Sequence, residues 1–527
     1  MIETRALSLT DVIASHARWS PEAEAAVCGP NRRTWRQLIG RMHQVSNALL
    51  AAGLRPGDKV ATLLNNSIEL LEIMLGTTAA GGVIVPLSVL MAGDSLAVMI
   101  DNSEAKFLFA AKSTCGQIDP IRSTLARIEQ PGGFIALEPG SVGWTFYENW
   151  LAGVPETEPG IRSGFNDTIS ILYTSGTTGV PKGMEHSQLS RLLYPLVLGP
   201  LLKIDARSRT LLTTPMYHNG TWVTMLPTLY AGGTVVIMPK FSVDDFNTTV
   251  ELERCTHAFM VPTQLVLILN DAKFDPVKLK SMEMVMSAGS PLSIATLKNV
   301  SISLPLLHFC EIYGMGEGFM TFIGPEDYLA GKEGSVGRPI LALDTDIRIV
   351  GEDDVELPAG EVGEIVGYSA LLLKGYYRDP DRTAASLWHE PSGGRAFLRS
   401  GDLGYVDAAG YIYLVGRAKD MIISGGVKIY AVDIEEVFMR HPDVREVAAI
   451  AVPHEKWGET PLLLAILRTG ATVSQEELLA WGNQQLGKAQ RISSVEFRQE
   501  FPRNTLDKVL KRELREPYWP NSARQIG

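Results

Sequence analysis

Residues 173–183 read Tyr-Thr-Ser-Gly-Thr-Thr-Gly-Val-Pro-Lys-Gly and follow an apolar run, Ile169–Tyr173, that predicts a short buried strand. Glycines let backbone N–H groups approach an anion closely, and the hydroxyls and Lys182 add further donors and a positive charge. The order of residues excludes a Walker A loop, because Pro181 and Gly183 flank the lysine. The alternative interpretation is a flexible polar loop. Such a loop would require the glycines but neither the hydroxyls nor the lysine. The segment therefore predicts a polyphosphate site directly after a short strand.

Strand-like and helix-like segments alternate through the first 400 residues. Short apolar runs alternate with amphipathic stretches, a pattern typical of parallel sheets joined by right-handed helical crossovers. The predicted strands include Lys59–Leu63, Thr210–Thr214, Thr234–Met238, Ala258–Val261 and Met284–Ser287, and the predicted helices include Gln37–Ala52, Thr263–Asn270 and Pro291–Val300. We therefore expect an α/β fold for a large N-terminal domain.

The pattern changes at about Gly334. From there to Val415, strand-like runs separated by Gly, Asp and Pro indicate a small antiparallel, barrel-like subdomain. A small α+β unit follows, with predicted helices Val432–Arg440 and Ser474–Leu486 and a predicted strand Glu446–Val452. We place an N-terminal domain at 1–416, with the barrel-like subdomain at 334–415, a hinge at 417–420 and a C-terminal domain at 421–527.

Composition excludes several classes of protein. The 527 residues include 48 basic and 59 acidic ones, a net charge of −11, and no basic run, which argues against nucleic acid or an anionic membrane surface as a partner. The four cysteines, Cys28, Cys115, Cys255 and Cys310, form no C-x-x-C pair, which argues against zinc and thioredoxin-like sites and fits a reducing cytoplasm. No secretory signal is visible. The uncharged stretch Ile73–Gly93 has the length of a membrane helix, but its Gly81-Gly82 break predicts a buried helix and a buried parallel strand instead.

Three further motifs combine residue types that suit a nucleotide. Residues 311–317, Glu-Ile-Tyr-Gly-Met-Gly-Glu, place an aromatic ring beside a glycine and end on Glu317, an oxygen ligand suited to Mg²⁺. Residues 287–291, Ser-Ala-Gly-Ser-Pro, are small and follow a predicted strand, where an open α/β sheet leaves room for a ligand. Residues 400–404 hold Asp402 in a tight turn, where its carboxylate can accept from both ribose hydroxyls or form an Asx-turn.

Two motifs lie in the C-terminal part. The adjacent glycines Gly425 and Gly426 allow a thin ligand to pass close to the backbone. Residues 502–511 form a basic segment at the start of a predicted helix, and this segment contains Lys508 and Lys511.

The loop at 173–183 resembles the signature loop of the adenylate-forming (ANL) superfamily, which contains acyl- and aryl-CoA synthetases, luciferases and peptide-synthetase adenylation domains. The other motifs follow in the expected order, so the resemblance covers nearly the whole chain. It implies that a carboxylate reacts with ATP to give acyl-AMP and pyrophosphate, and that the acyl group then passes to a thiol. It also implies that the C-terminal domain is mobile and turns about Lys419.

The resemblance assigns roles to individual residues. It places ATP phosphates on Thr174, Ser175, Gly176, Thr177, Thr178, Gly179 and Lys182, adenine and ribose on Gly289, Ser290, Glu311, Ile312, Tyr313, Asp402 and Arg417, and CoA on Gly425 and Gly426. The predicted acyl pocket contains Tyr217, Gly220, Met260, Ala288, Gly314 and Met315, with Met216, Trp222, Phe259 and Phe319 as further apolar residues. The predicted catalytic residues are Lys508, His218 and Glu317, and Glu317 is also the predicted Mg²⁺ ligand.

The sequence departs from the family pattern at three of these motifs. Gly316 stands where the family usually has a threonine that contacts the α-phosphate, and Asp507 replaces the glycine before the adenylation lysine. Lys428 occupies a position that is often Asn or Gln, and a solvated lysine is the expected outcome. Lys511 is the alternative adenylation lysine if the register of the motif is shifted.

The resulting prediction is an AMP-forming carboxylic acid–CoA ligase that uses ATP, CoA and Mg²⁺ in the cytoplasm. Apolar residues around the predicted pocket and the glycines Gly220, Gly289 and Gly314 suggest an aromatic, alicyclic or medium-chain fatty acid as substrate. Two alternatives stay open: a ligase that loads a carrier protein or an amino acid, which the absence of an acid from 218–224 disfavours, and a non-catalytic nucleotide-binding protein. The oligomeric state is also open, with a homodimer among the options.

Overall fold

The computed structural model describes residues 7–91, 93–129, 132–174, 182–290, 292–391, 393–503 and 508–519. Contacts between residues divide the chain into two compact units. Unit 1 comprises Met1–Glu333, Pro339–Asp346 and Tyr368–Leu387, and unit 2 comprises Gly334–Arg338, Ile347–Gly367 and Trp388–Gly527. The predicted domain boundary at 417–420 stays a prediction.

The strands of the described residues are numbered in chain order. They are β1 (Glu24–Cys28), β2 (Asn31–Thr34), β3 (Lys59–Leu63), β4 (Val83–Pro86), β5 (Ala105–Ala110), β6 (Phe134–Ala136), β7 (Thr145–Phe146), β8 (Thr168–Thr174), β9 (Lys182–Ser187), β10 (Arg209–Leu212), β11 (Thr234–Ile237), β12 (His257–Met260), β13 (Met284–Ser287), β14 (His308–Gly314), β15 (Met320–Ile323), β16 (Arg338–Pro339), β17 (Asp346–Val350), β18 (Gly363–Tyr368), β19 (Gly375–Tyr376), β20 (Leu387–His389), β21 (Ala396–Val406), β22 (Ile412–Arg417), β23 (Ile422–Ser424), β24 (Val427–Ile429), β25 (Val444–His454), β26 (Gly458–Leu467) and β27 (Ser494–Phe497).

The α-helices are numbered in the same way. They are α1 (Leu9–Trp19), α2 (Trp35–Ala51), α3 (Ile68–Ala79), α4 (Gly93–Ser103), α5 (Lys112–Ile118), α6 (Tyr147–Leu151), α7 (Gln188–Leu193), α8 (Gly199–Leu201), α9 (Asn219–Ala231), α10 (Val243–Glu253), α11 (Pro262–Leu269), α12 (Ile294–Ser303), α13 (Pro325–Leu329), α14 (Pro380–Ala385), α15 (Ala431–Phe438), α16 (Gln475–Gln485) and α17 (Lys511–Arg515).

Two sheets with mainly parallel pairing form the frame of unit 1. One has the strand order β15-β14-β13-β12-β10-β11-β1-β2 and is parallel from β14 to β1. The other has the order β19-β9-β8-β4-β3-β5-β6-β7 and is parallel from β8 to β7. Strands such as β4 and β13 are buried along their whole length, as expected where helices cover both faces of a parallel sheet.

The uncharged stretch that begins at Ile73 folds as predicted, into a buried helix and a buried strand. It contains most of α3 and then β4, which pairs in parallel with β3 and β8. The helix also buries Glu72, whose carboxylate lies 3.0 Å from Arg33 Nε and 3.1 Å from Arg41 Nε, so the charge is paired inside unit 1. Within the described ranges, no helix is both long and apolar enough to cross a membrane.

Unit 2 contains a small curled antiparallel sheet and an α+β portion. The antiparallel sheet has the order β17-β18-β21-β20, with β22 pairing β21. The α+β portion has the order β24-β23-β26-β25, with β27 pairing β26 in parallel. Residues of α15 and α16 pack on one face of this second sheet, and Phe501 and Leu514 pack on the other. The predicted fold class is confirmed: parallel α/β sheets, a barrel-like subdomain and an α+β C-terminal portion.

Two differences from the predicted elements have clear physical causes. The helix predicted from Pro291 begins instead at Ile294, because the Ser293 side chain accepts from Thr296 N and caps the helix there. The predicted barrel-like segment 334–415 also contains a strand of another sheet, because β19 pairs with β9 in unit 1. This pairing brings Tyr376 opposite Met184, beside the predicted phosphate site.

Candidate active site

Parallel strands place several predicted site residues on one edge of the first sheet of unit 1. Met260 ends β12, Ala288 follows β13, and Gly314 ends β14, while Tyr217 and His218 lie between β10 and α9. The remaining predicted residues of this edge are Gly289 and Ser290, which follow β13, Ile312 and Tyr313 within β14, and Met315, which follows β14. The carboxyl ends of parallel strands are where open α/β sheets bind ligands, so the fold gathers these residues as the sequence predicted.

The two ends of the predicted phosphate loop lie opposite each other. Thr174 is the last residue of β8 and pairs in antiparallel register with Lys182, the first residue of β9. The predicted phosphate ligands Ser175, Gly176, Thr177, Thr178 and Gly179 lie outside the described residues. Among the predicted phosphate ligands, Lys182 is therefore the residue whose side-chain contacts the structure describes.

Tyr376 connects Lys182 to Glu317. Its hydroxyl donates to Glu317 Oε1 at 2.9 Å, and Lys182 Nζ lies 5.5 Å from the centre of its ring. Burial, and then the negative charge of Glu317, raises the pKa of Tyr376, so the phenol stays protonated and donates. Tyr376 was not predicted, because the contact joins residues 59 positions apart and depends on the pairing of β19 with β9.

The residues around Glu317 are compatible with Mg²⁺ that is held mainly by ATP. Where the structure describes the chain, no group of three or more His, Cys, Asp and Glu side chains is arranged to hold a metal ion. Mg²⁺ is commonly bound through one or two carboxylates plus substrate phosphates and water. Glu317 could supply that carboxylate, with Tyr376 fixing one of its oxygens.

Glu311 and Tyr313 occupy β14 as the predicted adenine motif requires. Burial raises the pKa of Glu311 to about 7, and the Tyr328 hydroxyl donates to its Oε1 at 3.0 Å. The half-buried ring of Tyr313 lies 6.3 Å from that of Phe319 in an edge-on arrangement. Glu311 is thus a carboxyl group that changes charge near neutral pH at the predicted adenine position.

A methionine fills the space that a side chain at Gly316 would occupy. A Cβ on this glycine would lie 2.7 Å from Met184 Cε and 2.8 Å from its sulfur. His186, two residues further along β9, lies with Nε2 2.8 Å from the Gly316 carbonyl oxygen. Burial, and then the charge of Arg191, lowers the pKa of His186, so the ring is neutral. Met184 and Gly316 are therefore matched in volume.

His218 is held in a loop that a distant asparagine fixes. Burial lowers the pKa of His218 to about 4, so its imidazole is neutral at pH 7 and is poorly suited to donate a proton as an acid. The buried side chain of Asn66 donates to Thr214 O at 2.9 Å and accepts from Met216 N at 2.7 Å. Asn66 was also not predicted, since these contacts span about 150 residues of sequence.

The prediction that Gly220 and Gly314 leave space for a bulky substrate group is wrong. A Cβ on Gly220 would lie 2.6 Å from the Phe259 ring, and one on Gly314 would lie 2.6 Å from the Phe319 carbonyl oxygen. These two glycines admit protein atoms rather than leaving open space. Gly289 behaves as predicted: it has φ +97°, and its nearest neighbour would be a Val261 methyl at 3.7 Å.

Unit 2 gathers the predicted ribose residues and the predicted catalytic lysine. Asp402 and Arg417 are cross-strand partners in β21 and β22, with Arg417 Nε 3.0 Å from Asp402 Oδ1. Burial, and then the positive charge of Arg417, lowers the pKa of Lys508 to about 8, against the opposing effects of Asp402 and Asp420. The charges of Asp402 and Arg417 therefore act on Lys508, which lies more than 90 residues further along the sequence than either of them.

The hinge position and the alternative lysine also have defined surroundings. The carbonyl oxygen of Lys419 accepts from buried Arg515 Nη1 at 2.8 Å. Lys511 Nζ lies 2.6 Å from Glu435 Oε1, which also accepts from Ala449 N, so Lys511 is part of a structural ion pair. This engagement favours Lys508 over Lys511 as the adenylation lysine.

The predicted CoA glycines form the turn between β23 and β24. Gly425 and Gly426 have φ of +56° and +84°, conformations that favour glycine. A Cβ on Gly425 would lie 2.6 Å from the ring of half-exposed Trp457, whereas one on Gly426 would have no neighbour within 4 Å. Lys428 pairs with Glu352 at 2.6 Å on the exposed surface of unit 2, in line with the expected solvated lysine.

This combination of fold and site belongs to one class of enzyme. A family model described as AMP-binding enzyme matches residues 13–377, and a model described as AMP-binding enzyme C-terminal domain matches residues 433–508. The chain belongs to the AMP-binding enzymes of the adenylate-forming superfamily. Within that family it is an AMP-forming acid–thiol ligase, an acid–CoA ligase.

Individual relatives extend over almost the whole chain. A feruloyl-CoA synthase of Amycolatopsis sp is 32% identical over 95% of this chain and 96% of its own. A long-chain-fatty-acid–CoA ligase of Mycobacterium tuberculosis is 30% identical over 92% of this chain and 93% of its own. The structure of ATP-bound MatB from Rhodopseudomonas palustris matches with a TM-score of 0.86 at 30% identity, over 97% of this chain and 99% of that one. The two named ligases share a reaction type and differ in the acid.

Proposed function

We propose that this ligase activates an apolar carboxylic acid, either aromatic, alicyclic or a medium-chain fatty acid, as its acyl-AMP and then transfers the acyl group to CoA. The apolar character rests on the residues that end or follow the strands of the first sheet. Trp222, Phe259 and Met260 are at most 3% exposed, and Met216 is fully buried beside His218. The names of the two ligases cover an aromatic and an aliphatic acid, so the acid is to be identified by experiment.

The phosphates of ATP bind to the loop that ends at Lys182. In this proposal Lys182 pairs with a phosphate oxygen, and Glu317, oriented by Tyr376, faces the metal that accompanies ATP. Bound there, Mg²⁺ would neutralise phosphate charge. Tyr313 stacks on adenine beside Glu311 and Ile312, and Gly289 and Ser290 line the same pocket.

The ribose and the reacting groups meet at the charged site of unit 2. Asp402 accepts from the ribose hydroxyls, and Arg417, 3.0 Å away, holds this carboxylate in place. The ammonium group of Lys508 bridges the substrate carboxylate and the α-phosphate, which offsets the repulsion between two anions and the charge that develops at phosphorus. His218, neutral at pH 7, positions the carboxylate rather than transferring a proton.

The second half-reaction uses the CoA thiol, so no cysteine nucleophile is required. We propose that residues 421–527 form a mobile domain that turns about Lys419 relative to 1–416, replacing Lys508 by the face that carries Gly425 and Gly426. The open surroundings of Gly426 leave a path for the pantetheine arm. In one arrangement the carboxylate displaces pyrophosphate from ATP and gives acyl-AMP. In the other arrangement the CoA thiol displaces AMP from acyl-AMP and gives the thioester.

The single observation that carries the proposal is that the charges of the Asp402–Arg417 ion pair act on buried Lys508 and shift its pKa. The test is a panel of aromatic, alicyclic and aliphatic acids, with pyrophosphate release measured without CoA and thioester formation measured with it. We expect an apolar acid to support both reactions, and Lys508→Ala to lose the first while it retains conversion of supplied acyl-AMP. Pyrophosphate release only with polar acids, or acyl transfer only to a carrier protein, would contradict the proposal.

A further inference from the structure

Arg191 is a buried cation whose partners are all neutral. The side chain of this α7 residue is fully buried, and its Nε and Nη1 donate to Ser170 Oγ at 3.3 Å and Asn219 Oδ1 at 2.5 Å. Its Nη2 is buried and has no hydrogen-bond partner among the residues that the structure describes. Across the described residues, no carboxylate forms an ion pair with Arg191.

Two aromatic rings surround the guanidinium. Its central carbon lies 5.3 Å from the centre of the Tyr194 ring and 4.7 Å from that of Trp222. Cation–π contacts of this kind offset part of the cost of burying a charge. Burying an ion without a partner charge costs several kcal/mol, and an arginine cannot escape this cost by losing its proton at neutral pH. Within the described part of the chain, this buried positive charge therefore has no anionic partner.

The guanidinium contacts the segment of the candidate active site that contains His218. Asn219, which it contacts, is the first residue of α9 and directly follows His218, while Trp222 lies one turn further along α9. The guanidinium therefore reaches the segment of His218 through its hydrogen bond to Asn219.

We propose that Arg191 supplies the buried positive charge that binds an anionic oxygen of the acid substrate beside His218. This inference rests on the proposed function, because it takes the segment of His218 to be the acid site. The unpaired Nη2 protons match a carboxylate, for which a guanidinium is the best-suited donor. The carboxylate is the reacting group of the apolar acid, and a second acidic group on a dicarboxylic acid is the alternative that the experiment distinguishes.

The test compares Arg191→Met with Arg191→Lys, which keeps the charge but loses the planar fork, and with Arg207→Met as a matched control. Arg207 is 91% exposed and pairs with Asp205, so its replacement removes an arginine that has no buried role. We expect Arg191→Met to raise the KM for the acid at least about tenfold while the KM for ATP stays within about twofold, and Arg191→Lys to be intermediate. Arg207→Met should match the parent in both.

The two sources of the anion give different results in the second half-reaction. If Arg191 binds the reacting carboxylate, Arg191→Met should convert supplied acyl-AMP and CoA at the parent rate, because that charge is gone in the mixed anhydride. If it binds a second acidic group, dicarboxylic acids alone should be affected, and their acyl-AMP should react poorly as well.

The thermal melting temperature of each variant separates binding from folding. Removing an unpaired buried charge should leave Arg191→Met at least as stable as the parent. Equal loss for ATP and acid, or an unchanged KM for every acid, would overturn the proposal; if Arg191→Met does not fold, the same comparison with Arg191→Lys decides it. Failure of the parent to activate any acid would refute the proposed function instead.

Discussion

The pKa of Lys508 allows a prediction about the proposed adenylation step. Burial, and then the charge of Arg417, lowers this pKa to about 8. About nine in ten molecules then carry the ammonium form at pH 7 and about one in ten at pH 9. If the ammonium form bridges the carboxylate and the α-phosphate, kcat/KM for pyrophosphate release should fall about tenfold over this interval, because kcat/KM reports groups of the free enzyme.

The assay measures the two half-reactions separately between pH 6.5 and 9.5 at constant ionic strength. Pyrophosphate release should decline with a midpoint near the pKa of Lys508, which is about 8. Conversion of supplied acyl-AMP should hold or rise, since ionisation of the CoA thiol favours it. Lys508→Arg keeps its charge throughout this range, so its residual adenylation should lose the decline.

Stability supplies the control for Lys508→Ala. Because the folded pKa lies below the ordinary value for lysine, the folded protein binds fewer protons than the unfolded chain between about pH 8 and 10.4. The contribution of Lys508 to stability therefore rises with pH through that window and is unfavourable below it. Lys508→Ala should accordingly lose adenylation at pH 7 without a lower melting temperature. A flat parent profile between pH 7 and 9, or the same decline in Lys508→Arg, would refute the reasoning.

Three further predictions concern contacts that the fold brings together. Glu317→Gln should raise the Mg²⁺ concentration for half-maximal pyrophosphate release, and Tyr376→Phe should raise it less, because it removes one hydrogen bond worth about 1.5–3 kcal/mol and keeps the carboxylate; identical Mg²⁺ titrations for the parent and both variants would contradict this. Gly316→Thr should destabilise the protein by about 1–3 kcal/mol through overpacking against Met184, and adding Met184→Ala should recover part of that loss in denaturant unfolding. Strictly additive effects would disprove this steric match. Arg515→Met, which removes the donor to the carbonyl at the hinge position, should change the ratio of the two half-reaction rates, whereas a purely structural arginine would lower both equally.

The class of fold and the order of the motifs could be predicted from local sequence patterns. Local patterns sufficed for this, because an apolar run with turn residues at both ends specifies a buried strand wherever it occurs. Met284–Ser287 is a strand with the predicted bounds, and the uncharged stretch after Ile73 is the predicted helix and strand. These features depend on residues within a few positions of one another. The motif at Glu311–Glu317 begins within β14, a strand that the local pattern did not predict.

The hydrogen-bond partners of the site residues could be identified only from the tertiary structure. Tyr376 reaches Glu317 because β19 pairs with β9, and Asn66 fixes the loop of His218 across about 150 residues. No local periodicity encodes such contacts. The same holds for Arg191, because an arginine is usually expected at the surface. Packing instead removes this side chain from water, and its Nη2 finds no hydrogen-bond partner among the described residues. Burial, which sets pKa values and unpaired charges, is a property of the folded chain as a whole.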